Sequence, residues 1–214
     1  MNLVFDTILR KIYFESLNII KDEQPRVWGL FCDNVPTFTV AFFNRCTLIG
    51  GLLTYVRYYK ILRESKYRYK IVWNEYKSDI ISKLEKIFGC QLEGSIIANI
   101  CISPLYLRNI KKKQFIIPTN VDENRLLEIL IHEISHFYFY EKIKGCDLSE
   151  EDAWLISEHI VSYIIKMFFD EVVITSSSYF TNPSNEQNVS IMEWLDGNVT
   201  FEGFVEKWRE GKVE

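Results

Sequence analysis

Residues 126–140 read LLEILIHEISHFYFY, and inside them His132-Glu133-Ile134-Ser135-His136 forms an HExxH. Around that pattern the segment is apolar on nearly every side, with Leu126, Leu127, Ile129, Leu130, Ile131, Ile134, Phe137 and Phe139. A helix of this kind is buried. Its histidines then need partners, because an unpaired buried polar group costs about 1–3 kcal/mol. Residues four apart on a helix stack about 6 Å along its axis, so both imidazoles project from one face. They suit a single Zn²⁺ bound at about 2.0–2.1 Å from each. Glu133 is offset around the helix but reaches over the metal's remaining position, where a carboxylate can take a proton from water. The alternative is a metal-free helical core in which the histidines bond neighbouring backbone and the pattern arises by chance.

The flanking residues bound this helix and bring back a third donor. Asn120 and Glu123 have capping-box spacing, and Lys142, Lys144 and Gly145 read as a stop. Ser149, followed by Glu150, Glu151 and Asp152, starts a second helix. The leg from His136 to the turn and the leg back to Glu158 each span about 12 Å, so a helical hairpin returns Glu158 to the level of His136. His132, His136 and Glu158 would hold zinc with its fourth position open, as catalytic zinc requires. The motif thus points first to a zinc peptidase.

The run Trp154-Leu155-Ile156-Ser157-Glu158-His159-Ile160-Val161-Ser162-Tyr163 resembles the third-ligand helix of gluzincin metallopeptidases, which in the aminopeptidase branch reads W-L-N-E-G-x-A-S-Y. The Glu and the Ser-Tyr after it match in register, while the Trp-Leu pair sits one residue further away. The gap from His136 to Glu158 is close to the family's, slightly longer. The resemblance covers roughly residues 123–166. It implies a zincin-like fold, zinc ligands His132, His136 and Glu158, and Glu133 as general base. His159 stands where the family usually has Gly, Ser157 where it has Asn, and no G-x-M-E-N segment occurs upstream. Exopeptidase specificity is therefore not implied.

A chain of 214 residues, 48% hydrophobic and 15% aromatic, suits one domain with a sizeable core. Its portions divide as 1–94 (helix and strand), 95–170 (the zinc-site core) and 171–214 (a loop and a helix). A net charge of −4 gives no sign of a nucleic-acid or anionic-membrane partner. Five cysteines without a CxxC read as reduced thiols. With no signal peptide and no membrane-spanning stretch in evidence, a cytoplasmic protein is expected.

Along the chain, residues 2–22 predict an amphipathic helix through Leu3, Ile8, Ile12, Leu17 and Ile20. Residues 27–43 are aromatic and β-branched and predict strands, with Pro36 confining the second to an edge or its start. After Gly50-Gly51 comes one helical pattern with a solvated Arg, Lys and Tyr face, and residues 74–88 read as another helix stopped by Gly89. Residues 95–103 and 113–118 predict strands. Gln114, Phe115, Ile116 and Ile117 are the candidate edge strand for a peptide substrate, with Lys111–Lys113 as an edge flank; an inner strand without that role is the alternative. Residues 175–188 predict a polar loop, and Phe201, Phe204, Val205 and Trp208 a last amphipathic helix.

His159 rivals Glu158 as third ligand, but adjacent helical residues are rotated by about 100°, so both cannot easily face one metal. His159 and Tyr163 share a face and are candidates for an oxyanion or substrate contact, or for plain core packing. Ser162 is a candidate to orient a ligand, and Tyr179 a candidate to reach in from the loop. The sequence predicts an α+β, zincin-like domain with a mixed sheet, an edge strand beside the HExxH helix and a helical C-terminal part. Its expected cofactor is Zn²⁺ and its expected partner a peptide or protein substrate. The other open reading is a zinc-site protein that binds a partner and cleaves nothing.

Overall fold

The computed structural model describes residues 1–7, 48–101, 108–119, 121–169 and 185–210. In chain order the elements are β1 (Asn2–Thr7), α1 (Leu48–Phe88), β2 (Ser95–Cys101), β3 (Arg108–Asn109), β4 (Gln114–Pro118), α2 (Glu123–Lys142), α3 (Glu150–Phe168), α4 (Asn185–Leu195) and α5 (Phe201–Glu210). The architecture is α+β, as expected. The strands expected over 27–43 lie outside the described residues, as does Tyr179.

The sheet is mixed, in the order β1-β2-β4-β3. β1 and β4 flank β2 in parallel, and β3 pairs antiparallel with β4. β2 is covered on both faces, with Ile96, Ala98, Asn99 and Ile100 buried. The helix expected to begin at residue 2 is a correction: residues 2–7 are a strand. Leu3 and Phe5 are buried while Val4 is exposed, the period of two that a half-buried strand imposes. The remainder of that expected helix, residues 8–22, lies outside the described residues.

The two helices expected on either side of residue 74 are one helix of 41 residues. Nothing between residues 52 and 88 could end it, since that stretch holds neither Gly nor Pro. Leu62, Ser65, Tyr69, Val72, Trp73, Ile80, Leu84 and Phe88 form its buried stripe. Gly89, at φ 62°, ends it in a left-handed conformation that glycine adopts at least cost. α1 also fixes the turn that leads into α2. The Tyr69 hydroxyl donates to the Pro118 carbonyl at 2.8 Å and accepts from the Val121 amide at 3.3 Å. Arg68 donates to the Val121 carbonyl.

The cap of α2 is Asp122, whose carboxylate accepts from the Arg125 amide at 2.8 Å, in place of the expected Asn120. The turn after α2 is as expected: Gly145 takes φ 88° and Ser149 caps α3 by accepting from the Asp152 amide at 3.0 Å. Of the residues expected as a polar loop over 175–188, those from Asn185 on belong to α4, and 175–184 lie outside the described residues. α5 packs as its spacing predicts, with Phe201, Phe204, Val205 and Trp208 all buried.

β4 corrects the expectation of an edge strand. It has β2 on one side, and on the other β3 pairs with Gln114 and Phe115. Ile116 and Ile117 have no strand partner on that second side among the described residues, and both are buried. Phe115 meets Phe137 of α2 with ring centroids 6.2 Å apart, so the strand does lie against the helix that carries the histidines.

Candidate metal centre

The spacing on α2 brings the two imidazoles together, with His132 Nε2 and His136 Nε2 3.1 Å apart. The hairpin supplies the third group: Glu158 Oε2 lies 3.7 Å from each of these nitrogens. Three donors arranged tetrahedrally around zinc at the usual bond lengths sit about 3.3 Å from one another. The observed separations bracket that value. Among the described residues, these three are the His, Cys, Asp or Glu side chains grouped closely enough to share a metal ion. Two imidazoles and a carboxylate are a donor set that zinc accepts.

The protonation states suit ligation as well. Burial holds the His136 imidazole well below its usual pKa, and the charges of Arg108 and His132 act in the same direction. His132 is lowered to about 3, by burial first and then by the charges of Arg108 and Arg125, although part of its side chain is exposed. Neutral imidazoles are what a metal binds. Ser157 Oγ is hydrogen-bonded to His136 Nδ1, which fixes the ring and turns Nε2 toward the other donors. Both Ser157 and His136 are wholly buried.

Glu133 is also buried, but its Oε2 has no hydrogen-bond partner. Burial pushes its carboxyl up to about 7; Arg108 opposes the rise and Glu158 adds to it. The Arg108 guanidinium stands between the two acids. Nη2 donates to Glu158 Oε1, and Nη1 lies 3.5 Å from Glu133 Oε2. Burial alone would lower the arginine's pKa, but the two carboxylates outweigh it and raise it. Sheet register explains how Arg108 arrives here. It pairs with Phe115, and paired residues put their side chains on one face, the face that meets α2.

The remaining candidates fall elsewhere. His159 turns to Trp208 of α5, with ring centroids 5.7 Å apart, and burial lowers its pKa. The Ser162 hydroxyl donates to the Glu158 carbonyl of its own helix at 3.0 Å, not to the carboxylate. The Tyr163 hydroxyl donates to Asn188 Oδ1 of α4. These contacts direct His159 to α5 and Tyr163 to α4, and tie the Ser162 hydroxyl to the backbone of its own helix. Sequence reasoning missed Arg108 and Ser157 as members of this centre. Tyr140 lies one turn beyond His136 on the same face; burial raises its hydroxyl pKa, and the charges of Arg108 and Glu158 act on it. No local signal separates Arg108 from the basic run that follows it.

Compared with known proteins, this chain matches no family model, and no curated protein or solved structure matches it either. The chemical reading therefore rests on the residues themselves. Among the described residues no helix is long and apolar enough to cross a membrane.

Proposed function

We propose that this chain is a zinc-dependent metallopeptidase with a zincin-like arrangement, which hydrolyses peptide bonds of a peptide or protein substrate. The observation that carries this reading is the convergence of His132, His136 and Glu158 beside a second carboxylate, Glu133, whose Oε2 is buried without a hydrogen bond. A bound zinc would supply Lewis acidity and make water a nucleophile near neutral pH. The two imidazoles and Glu158 Oε2 would hold it. Ser157 keeps the His136 ring in place, and Arg108 keeps the second oxygen of Glu158 occupied.

Glu133 takes the role of general base. A carboxyl poised near 7 accepts a proton and releases it again at neutral pH, where general catalysis works best. Its burial favours that role, because a solvated carboxylate is too weak a base to hold the proton. The site is entered where it is least covered, at His132 and Arg108, whose side chains are 31% and 16% exposed.

Glu133→Gln tests the assignment, since Gln fills the same volume but accepts no proton. Zinc content and thermal melting are expected to stay close to wild type, while cleavage of casein or a quenched peptide library falls at least about a hundredfold. Equal cleavage by both proteins at matched zinc loading would refute Glu133 as base. A fully zinc-loaded wild type that cleaves no member of the library would favour the partner-binding reading.

A further inference from the structure

Arg108 is a part of this centre that neither the HExxH pattern nor the helix carrying Glu158 calls for, and its position makes a specific demand on any metal that enters. The Glu158 carboxylate has two oxygens and two claimants. Oε1 accepts from the guanidinium, and Oε2 faces His132 and His136 at 3.7 Å. The same guanidinium reaches Glu133 at 3.5 Å. Glu133 and Glu158 have side chains only 4% and 5% exposed, so solvent contributes little to neutralising them. Arg125, the other arginine whose charge acts on His132, is engaged at 2.6 Å by Glu128. Among the described residues, Arg108 is thus the cation in direct contact with both acids.

We propose that Arg108 sets how tightly the centre holds its metal: it neutralises Glu133 and Glu158 when the metal is away, and opposes the metal when it binds. This rests on the zinc-site reading above. Two effects of opposite sign compete in such a contact. Fixing the orientation of a ligand from behind is worth roughly a 10–100-fold gain in affinity. Against it stands repulsion between a divalent cation and a guanidinium about 5 Å away, the separation that one bridging carboxylate imposes. At an effective dielectric of about 20 that repulsion exceeds the orienting gain. Linkage makes the opposition mutual, so a metal that loosens Arg108 is itself weakened by Arg108. Arg108 is therefore a positioning residue whose charge matters more than its shape.

Charge and shape are separated by two variants. Arg108→Gln keeps a hydrogen-bond donor and loses the charge, and Arg108→Lys keeps the charge and loses the fork. Zn²⁺ affinity is measured against a chromophoric chelator, and melting is followed with and without the metal. Arg108→Gln is expected to bind Zn²⁺ at least about tenfold more tightly, to melt lower than wild type when metal-free, and to gain more from added Zn²⁺. Arg108→Lys is expected to stay within about threefold of wild type in affinity. Weaker binding by Arg108→Gln would mean that orientation dominates and would overturn the proposal, as would an unchanged affinity. If Arg108→Gln does not fold, Arg108→Lys decides alone: a loss of tenfold or more overturns the proposal. A wild type that takes up no Zn²⁺ removes the zinc-site reading and this inference together, whereas a zinc-binding wild type with an unaltered Arg108→Gln removes this inference only.

Discussion

The α2–α3 pair and the α4–α5 pair both bury large side chains, but different forces hold them. Between α4, α5 and their neighbours the contacts in the core are mainly aromatic. Trp194 meets Phe201 and Phe204, Phe204 meets Trp208, and Phe88 and Phe139 close the cluster. Such contacts are many, individually weak and additive in character. At the centre of α2–α3 the wholly or largely buried groups are His136, Ser157, Glu133 and Glu158. Each of these gains only if the others, or a metal, are in place. One region is held by contacts already present in the fold, and we propose that the other is completed by a metal.

The sharpest way to break this contrast is to damage the aromatic side. Phe204 is wholly buried among Trp194, Phe201 and Trp208, so Phe204→Ala removes a large apolar volume. A loss of about 3–5 kcal/mol is expected in chemical denaturation, the same with zinc or with a chelator present. A loss that zinc largely restores would mean that the two regions are not independent.

The site side should behave in the opposite way. Glu158→Ala is expected to weaken Zn²⁺ binding more than Ser157→Ala, whose loss of a partner behind the ligand is worth about 10–100-fold. His159→Ala should leave the affinity unchanged, because that imidazole packs on Trp208. A chelator titration that ranks His159→Ala above Glu158→Ala would move the third ligand and undo the hairpin argument.

A smaller effect separates the regions by pH. His132, His136 and His159 all have folded pKa values below the usual 6.5, so below about that pH the unfolded chain takes up more protons and the fold loses stability. Glu133 works against this, because its folded value of about 7 exceeds 4.5 and the folded state gains a proton between the two. Three groups outnumber one. Metal-free protein should therefore melt at progressively lower temperature as pH falls from 6.5 toward 5, and a rise over that window would contradict the burial of the histidines.

The same contrast explains what could be read from the sequence. The α2 site was legible because its pattern is local: two histidines one turn apart in an apolar segment. Glu158 followed because Gly145 and Ser149 mark a turn whose two legs are equal in length. The packing of α5 was legible for the same reason, in the spacing of four residues. β1 was misread because Leu3 and Ile8 extend a helical period that begins further along the chain. α1 was divided because its pattern weakens near residue 74, yet a helix with nothing to stop it continues. Arg108 was not legible at all. Its place depends on the pairing of Arg108 with Phe115 across β3 and β4 and on Phe115 packing against Phe137, neither of which leaves a trace in the adjacent residues.

The central claim is that His132, His136 and Glu158 form one metal site. Its most direct test is zinc per chain, by atomic emission, in wild type and in His136→Ala purified alike after dialysis against a weak chelator. The account predicts close to one zinc in the wild type and almost none in the variant. Near-equal zinc in the two, or none in the wild type after loading, would contradict it.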